Sequence, residues 1–358
     1  MRSFWRSEER PEALFGLIKA RFTRGPLCHD FHPQNEFFQG GSGVFRSRFL
    51  IRLFAVIAAV FAAGALSACG SDGESDGEQA KGAPRILATT PQIGNLVSSV
   101  SGSRAPVITL VPVGVSPHTF VPQASAMTEN IDVAFINGGD MDPWAKAVIK
   151  QSSPDAKIVD LSKSAKLIDG DNSHWITDLD NAKLAAAQVE QTLTQMDSEG
   201  GSVYSTNRAD FDARADELDE SIYACTTTKP VPEKLRVVAA HNDVDYLAKR
   251  YEFKVVEQIA KNGEATEPQA SVETLAKRAK SKDAGVVATA FSQFDGPGGM
   301  VAQQAGVPKV VIYTDNLSDP GQPAKTLLLS IAHSIGVMVE SATGGKGKCT
   351  YPKSLTEG

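Results

Sequence analysis

Leu235-Arg236-Val237-Val238-Ala239-Ala240 is a short run of almost unbroken apolar character that leads directly into His241-Asn242-Asp243, where a helical pattern over 243–251 takes over. A run of this length, without polar alternation, reads as a strand covered on both faces of a sheet. The same unit recurs downstream as Phe253-Lys254-Val255-Val256, Ala284-Gly285-Val286-Val287-Ala288 and Lys309-Val310-Val311-Ile312-Tyr313. Helices are expected between and after these runs at 270–281, 297–305 and 321–340. Upstream, Arg85-Ile86-Leu87-Ala88-Thr89, Val107-Ile108-Thr109-Leu110-Val111, Val133-Ala134-Phe135-Ile136 and Lys157-Ile158-Val159-Asp160-Leu161 form a second set, with helices expected at 91–101, 124–130 and 142–152. Strands alternating with helices define an α/β fold of two βα lobes, each with a four-stranded, mainly parallel sheet. No residue-level repeat relates the two lobes.

Two helical patterns fill the gap between the sets. Asn181 to Met196 places Leu184, Ala187, Val189 and Leu193 at mixed three and four spacings, and Ala209 to Ala224 does the same with Phe211, Ala215, Leu218 and Ile222. The second pattern is about 16 residues, roughly 24 Å, without Gly or Pro. It reads as a long rigid helix between the lobes and predicts small lobe motions. The expected organisation is an N-terminal lobe over 85–205, a linking helix over 206–226 and a C-terminal lobe over 227–358.

The front of the chain carries an export pattern. Arg46, Arg48 and Arg52 precede an apolar run from Leu53 to Ala65, and Leu66-Ser67-Ala68-Cys69 follows. The apolar run is shorter than the about 20 residues a spanning helix needs, so 1–68 reads as a signal region. Residues 1–43 fit neither signal nor domain, which points to a start codon assigned too far upstream. Leu-Ser-Ala-Cys resembles a bacterial lipobox, in which Cys69 is acylated. The alternative is an ordinary secretory signal with a chance cysteine. Residues 69–84, rich in Gly, Ser, Asp and Glu, read as a solvated tether. With Cys28 in the signal region and Cys69 lipidated, Cys225 and Cys349 remain, an even count for an oxidising compartment, and a disulfide between them is expected. The alternative is two isolated buried thiols. The net charge of −6 and the absence of a Lys/Arg cluster with interleaved aromatics argue against a nucleic-acid partner.

Four residues stand where an α/β protein collects ligands, at the carboxyl ends of strands or the starts of helices: His118, His174, His241 and Asp315. Two belong to each lobe, so a shared site would lie in the crevice. His29 and His32 fall in the signal region, and His333 sits within an apolar helical pattern. Each candidate also has a plainer reading. A single histidine beside a strand can be a hydrogen-bonded structural residue, Asp315 can cap a turn, Asp319 can replace Asp315, and Asp243 can replace His241. Trp144 and Trp175 read as packing.

Five pieces in order carry a resemblance: Ala88-Thr89-Thr90-Pro91-Gln92-Ile93-Gly94; Ser116-Pro117-His118-Thr119-Phe120; Ser173-His174-Trp175; Ala240-His241-Asn242-Asp243 with Tyr246-Leu247-Ala248-Lys249-Arg250-Tyr251; and Tyr313-Thr314-Asp315-Asn316. Over residues 85 to 340 the chain resembles the metal-binding lipoproteins of bacterial ABC importers, the cluster A-I or TroA-like solute-binding proteins. The resemblance implies that His118, His174, His241 and Asp315 are metal ligands. It implies a lipid-anchored, extracytoplasmic monomer that serves an ABC permease and its ATPase, with a loading metallochaperone as a further candidate partner. Zinc members have histidine at the third ligand position and manganese members usually glutamate, so His241 implies Zn²⁺ as the transported ligand, with Mn²⁺ or Fe²⁺ as alternatives. Imidazole donors point the same way.

Three departures matter. The family's Asp-Pro-His is Ser116-Pro117-His118 at one ligand and Asn172-Ser173-His174 at another, and the Glu that often follows His-Thr-Phe is Val121. Carboxylates that orient imidazoles are worth about 10- to 100-fold in affinity. The other functional classes are a zinc hydrolase and an adhesin-type surface lipoprotein. The sequence holds no His-Glu-x-x-His and no evident general base, and Asp315 would fill the open position a hydrolase keeps. The expectation is therefore not an enzyme.

Overall fold

The computed structural model describes residues 80–122, 130–168, 172–260, 268–293 and 296–356. The signal region, Cys69, most of the tether and nearly all of the helix expected at 124–130 lie outside the described residues. From Ala80 the tether is already part of the fold: the Ala80 amide donates to Arg104 O at 3.1 Å and Ala83 is buried.

The first sheet contains β1 (Ile86–Ala88), β2 (Val107–Thr109), β3 (Val133–Ile136) and β4 (Lys157–Asp160) in the order β2-β1-β3-β4. The second contains β5 (Arg236–Ala239), β6 (Lys254–Gln258), β7 (Val286–Ala290) and β8 (Lys309–Ile312) in the order β6-β5-β7-β8. Every described pairing is parallel. The two lobes thus share one plan, with each chain path reversing beside its first strand.

Both sheets are covered on both faces, which explains their continuous apolar sequences. Ile86, Ala88, Val133 and Phe135 point into the main core, while Leu87, Ala134 and Ile136 point into a second cluster under α2 (Ala145–Ser152). In the other lobe Val237, Ala239, Val286 and Ala288 face the main core. Val238 and Val287 face α7 (Val272–Ser281) and α8 (Gly298–Ala305).

The main core runs through both lobes because helices α1 (Pro91–Ser101), α3 (Leu179–Met196), α4 (Gly201–Thr227) and α9 (Leu327–Ala342) bring it together. Thr90 caps α1 by accepting from the Ile93 amide, and Pro91 sits in its first turn, where its missing N–H costs nothing. Gly94 lets α1 press onto β2, since a Cβ there would lie 2.2 Å from Thr109 Oγ1. Two helices start later than the apolar pattern implied. The first, α2, starts at Ala145, and α9 starts at Leu327, where Thr326 caps it by accepting from the Leu329 amide.

The linking helix α4 has 27 residues, about 40 Å, and starts upstream of the expected 206–226. Tyr204, Phe211, Ala215, Leu218 and Ile222 form one buried stripe. Asn207 Nδ2 donates to Val100 O in the first lobe at 3.0 Å. On the C-terminal side Asp219 pairs with Arg250 at 2.6 Å, and Arg250 also reaches Asp178 at 3.0 Å. The helix is therefore packed along both lobes, as expected of a rigid connection. Its end is bonded to the tail by Cys225–Cys349, with Cα atoms 5.2 Å apart.

Candidate metal centre

The three histidines converge. Each offers a ring nitrogen, and these atoms all lie within 4.8 Å of one another. His118 Nε2 is 3.4 Å from His174 Nε2, which is 3.1 Å from His241 Nε2. His174 and His241 are buried and His118 is half-buried, so the centre meets solvent on the His118 side.

Local sequence explains each placement. His118 follows β2 in an irregular loop held at Pro117 O, which accepts from Trp144 Nε1 at 3.1 Å, and by Phe120 packed edge-on against Trp144 at 5.2 Å. His174 precedes the turn begun by Trp175, which is fully buried and donates from Nε1 to Asn137 O at 3.2 Å. His241 lies two residues past the end of β5, and Ala240 N, between them, donates to Ala288 O at 3.1 Å. The two tryptophans are packing residues, as their sequence context indicated.

The far side of two rings sets the electronic state of the near side. His118 Nδ1 lies 3.0 Å from Asp140 O, which can only accept, so Nδ1 carries the proton. His174 Nδ1 lies 3.2 Å from Asn172 Oδ1, which also takes the His174 amide at 3.0 Å, while Asn172 Nδ2 donates to Asn242 O at 2.9 Å. Both Nε2 atoms therefore present lone pairs toward each other. Facing lone pairs repel in the absence of a cation, and nitrogens about 2.0–2.1 Å from one tetrahedral ion would sit about 3.4 Å apart. Burial, reinforced by His241 and His118, holds His174 well below the usual histidine range, which keeps it neutral and ready to ligate.

Asp315 is placed differently from the triad. It is fully buried just past β8, but its oxygens are not in the histidine group, and Oδ2 accepts from Ser292 Oγ at 2.5 Å. Asp315 Oδ1 is buried without a hydrogen-bond partner. The substitute ligands fare less well. Asp319 is exposed, and Asp243 is buried behind His241, with Oδ2 3.9 Å from Nδ1, on the ring edge facing away from the triad. Burial, then the Asp315 carboxylate, raises Asp243 to about 7 against a hydrogen bond from Thr314. His333 lies apart, its ring on Tyr313 at 5.6 Å.

Sequence reasoning missed the residues that orient the histidines. The Asp140 carbonyl faces His118 Nδ1 and Asn172 Oδ1 faces His174 Nδ1, at the two positions where the chain departs from Asp-Pro-His. The loop carrying Asp140 is set by buried Asp142, which accepts from Thr89 Oγ1 at 2.5 Å and from the Asn137 and Gly138 amides at 2.8 Å each. Burial pushes Asp142 above the usual carboxylate range despite these bonds. Gly138, with φ +83°, allows this turn, since a Cβ would meet Asp160 Oδ1 at 2.1 Å. Asn316 clasps the lobes by accepting from Gly114 N at 3.1 Å and donating to Val115 O at 2.8 Å. Asn172, two residues before a candidate ligand, was the available signal; a backbone carbonyl leaves none.

Two parallel-sheet lobes and a histidine triad that could hold a metal ion are the features on which the chain can be compared with known proteins. The family described as zinc-uptake complex component A, periplasmic (ZnuA), matches residues 86–341, and the chain belongs to it. This is a family of metal-binding solute receptors, not enzymes. The chain is 25% identical over 303 residues to the manganese-binding lipoprotein MntA of Halalkalibacterium halodurans, covering 81% of this chain and 96% of that protein. It is 23% identical over 256 residues to the metal ABC transporter substrate-binding lipoprotein SloC of Streptococcus mutans, covering 66% and 83%. Among solved structures, the periplasmic zinc-binding protein TroA of Treponema pallidum superposes with a TM-score of 0.64 at 17% identity, covering 73% of this chain and 99% of that one. A manganese-bound periplasmic metal-binding protein of Candidatus Liberibacter asiaticus gives 0.62 at 20% identity, covering 72% and 99%. These two likenesses concern the fold.

Proposed function

We propose that the protein is the extracytoplasmic receptor of an ABC metal importer, that it binds Zn²⁺ between its lobes, and that it delivers the ion to the permease driven by a cytoplasmic ATPase. Three imidazole nitrogens turned toward one point, two with their protons held on the far side, are the observation that carries this reading. Asp315 serves as the oxygen donor, supported by its burial and its unpartnered Oδ1. Acylated Cys69 holds the receptor at the membrane, and the segment up to Ala80 gives it reach.

Zinc is favoured by the donor set, since imidazole suits Zn²⁺ while manganese prefers more oxygen. Manganese is the second reading, favoured by relatives whose names describe manganese binding. Metal content of protein purified without an affinity-tag metal, followed by Zn²⁺/Mn²⁺ competition, decides between them. Preferential zinc retention is the expected result. Retention of manganese over equimolar zinc would assign the other cargo, and uptake of neither would end the receptor reading.

A further inference from the structure

Asp243 stands outside the ligand set just proposed, yet it is as deeply buried as His241. Thr314 Oγ1 donates to its Oδ2 at 3.0 Å, and the same Oδ2 lies 3.9 Å from His241 Nδ1. Thr314 directly precedes Asp315, so one short segment past β8 binds the first carboxylate and carries the second. Asp243 Oδ1 and Asp315 Oδ1 are both buried without a hydrogen-bond partner. Ion pairs among the described residues include no lysine or arginine with either side chain.

A buried carboxylate with no cation is costly, and the cost is met when a positive charge arrives beside it. Histidines ligate as neutral imidazoles and add no charge to balance the ion. A divalent cation on the triad with Asp315 alone would leave one positive charge in a buried site. The geometry points to Asp243 as the second counter-charge of the metal centre, a positioning carboxylate behind His241 that, with Asp315, balances both charges of a bound divalent cation. Asp243 acts through the His241 ring and the Thr314-Asp315 segment. This inference rests on the proposed metal set and deepens it. It makes the empty receptor the strained form and the loaded one the relaxed form, a built-in preference for divalent ions over monovalent ones.

The test compares the full chain with D243N and D243A, using chelator-buffered Zn²⁺ and Mn²⁺ titrations and melting temperatures with and without metal. The near-isosteric D243N is expected to weaken affinity for the wild-type cargo by about 10- to 100-fold, as loss of an orienting carboxylate does. Its metal-free melting temperature is expected to equal or exceed that of the wild type, because the group that burdens the empty site is gone. A structural role alone would instead lower both melting temperatures together and leave affinity in place. Affinity within twofold of wild type in both variants, a drop in metal-free stability, or failure of both variants to fold would each overturn the inference. H241A separates the two levels of argument. If wild type binds metal, H241A loses it and D243N keeps it, only the role of Asp243 falls; if wild type binds neither ion, the receptor reading falls as well.

Discussion

Replacing Asn172 with alanine tests the link between the orienting residues and metal affinity. The side chain accepts from His174 Nδ1 at 3.2 Å and from the His174 amide at 3.0 Å, and it donates to Asn242 O across the lobes at 2.9 Å. Each hydrogen bond contributes about 0.5–1.5 kcal/mol net, and a buried amide left unpaired costs about 1–3 kcal/mol. Asn172→Ala should therefore destabilise the metal-free protein by about 2–4 kcal/mol in denaturant unfolding. The His174 ring then loses the acceptor that fixes its tautomer, so zinc affinity should fall by about 10- to 100-fold, or about 1.4–2.7 kcal/mol. Asn172→Asp separates the two effects. It keeps an acceptor for His174, as a carboxylate, but loses the donor to Asn242 O, so affinity should be retained or increased while stability still drops. Calorimetric titration in a competing chelator measures the affinities. Affinity of Asn172→Ala within twofold of wild type would refute the reasoning that Asn172 orients His174 for the metal.

Further outcomes follow from the same geometry. Zinc affinity should weaken as pH falls below about 6.5, because protons compete for the ligating nitrogens; a flat titration between pH 5 and 8 would count against histidine ligation. His174, held below the ordinary value by burial and by its neighbours His241 and His118, binds fewer protons folded than unfolded. Its contribution to metal-free stability is thus present above about 6.5 and is lost as pH falls from there toward its depressed folded value, which pH-dependent denaturation would register. Replacing Cys225 and Cys349 with serine opens a loop spanning a separation of 124 residues. Stability should drop by about 2–4 kcal/mol with zinc affinity within twofold, since neither cysteine touches the triad; unchanged stability in oxidising buffer would show that the bond adds nothing to the fold.

The fold was legible because its signals are redundant. Val237-Val238-Ala239 and its counterparts are apolar on both faces, as a doubly covered sheet requires, and Phe211, Ala215, Leu218 and Ile222 mark one buried stripe of α4. Helix starts were less legible: the cap at Thr326, rather than the periodic pattern, fixes where α9 begins. The histidine triad was legible from position, since His241 follows a strand closely, His174 opens a turn and His118 lies in the loop after β2. Its orienting contacts were not, because the Asp140 carbonyl is a backbone group and Asn172 acts through a bond two residues along the chain. Asp315 was legible as a residue just past a strand end, yet its burial and its turn toward Ser292 depend on the segment after β7, which no local pattern announces.

X-ray absorption spectroscopy of the metal-loaded full chain reads the ligand shell itself. The expected result is one divalent ion per chain, with the scattering of three imidazole rings and a carboxylate oxygen at about 2.0–2.2 Å for zinc. A first shell of oxygens without imidazole scattering, or a loaded ion unaffected by replacing His118, His174 and His241 together, would contradict it.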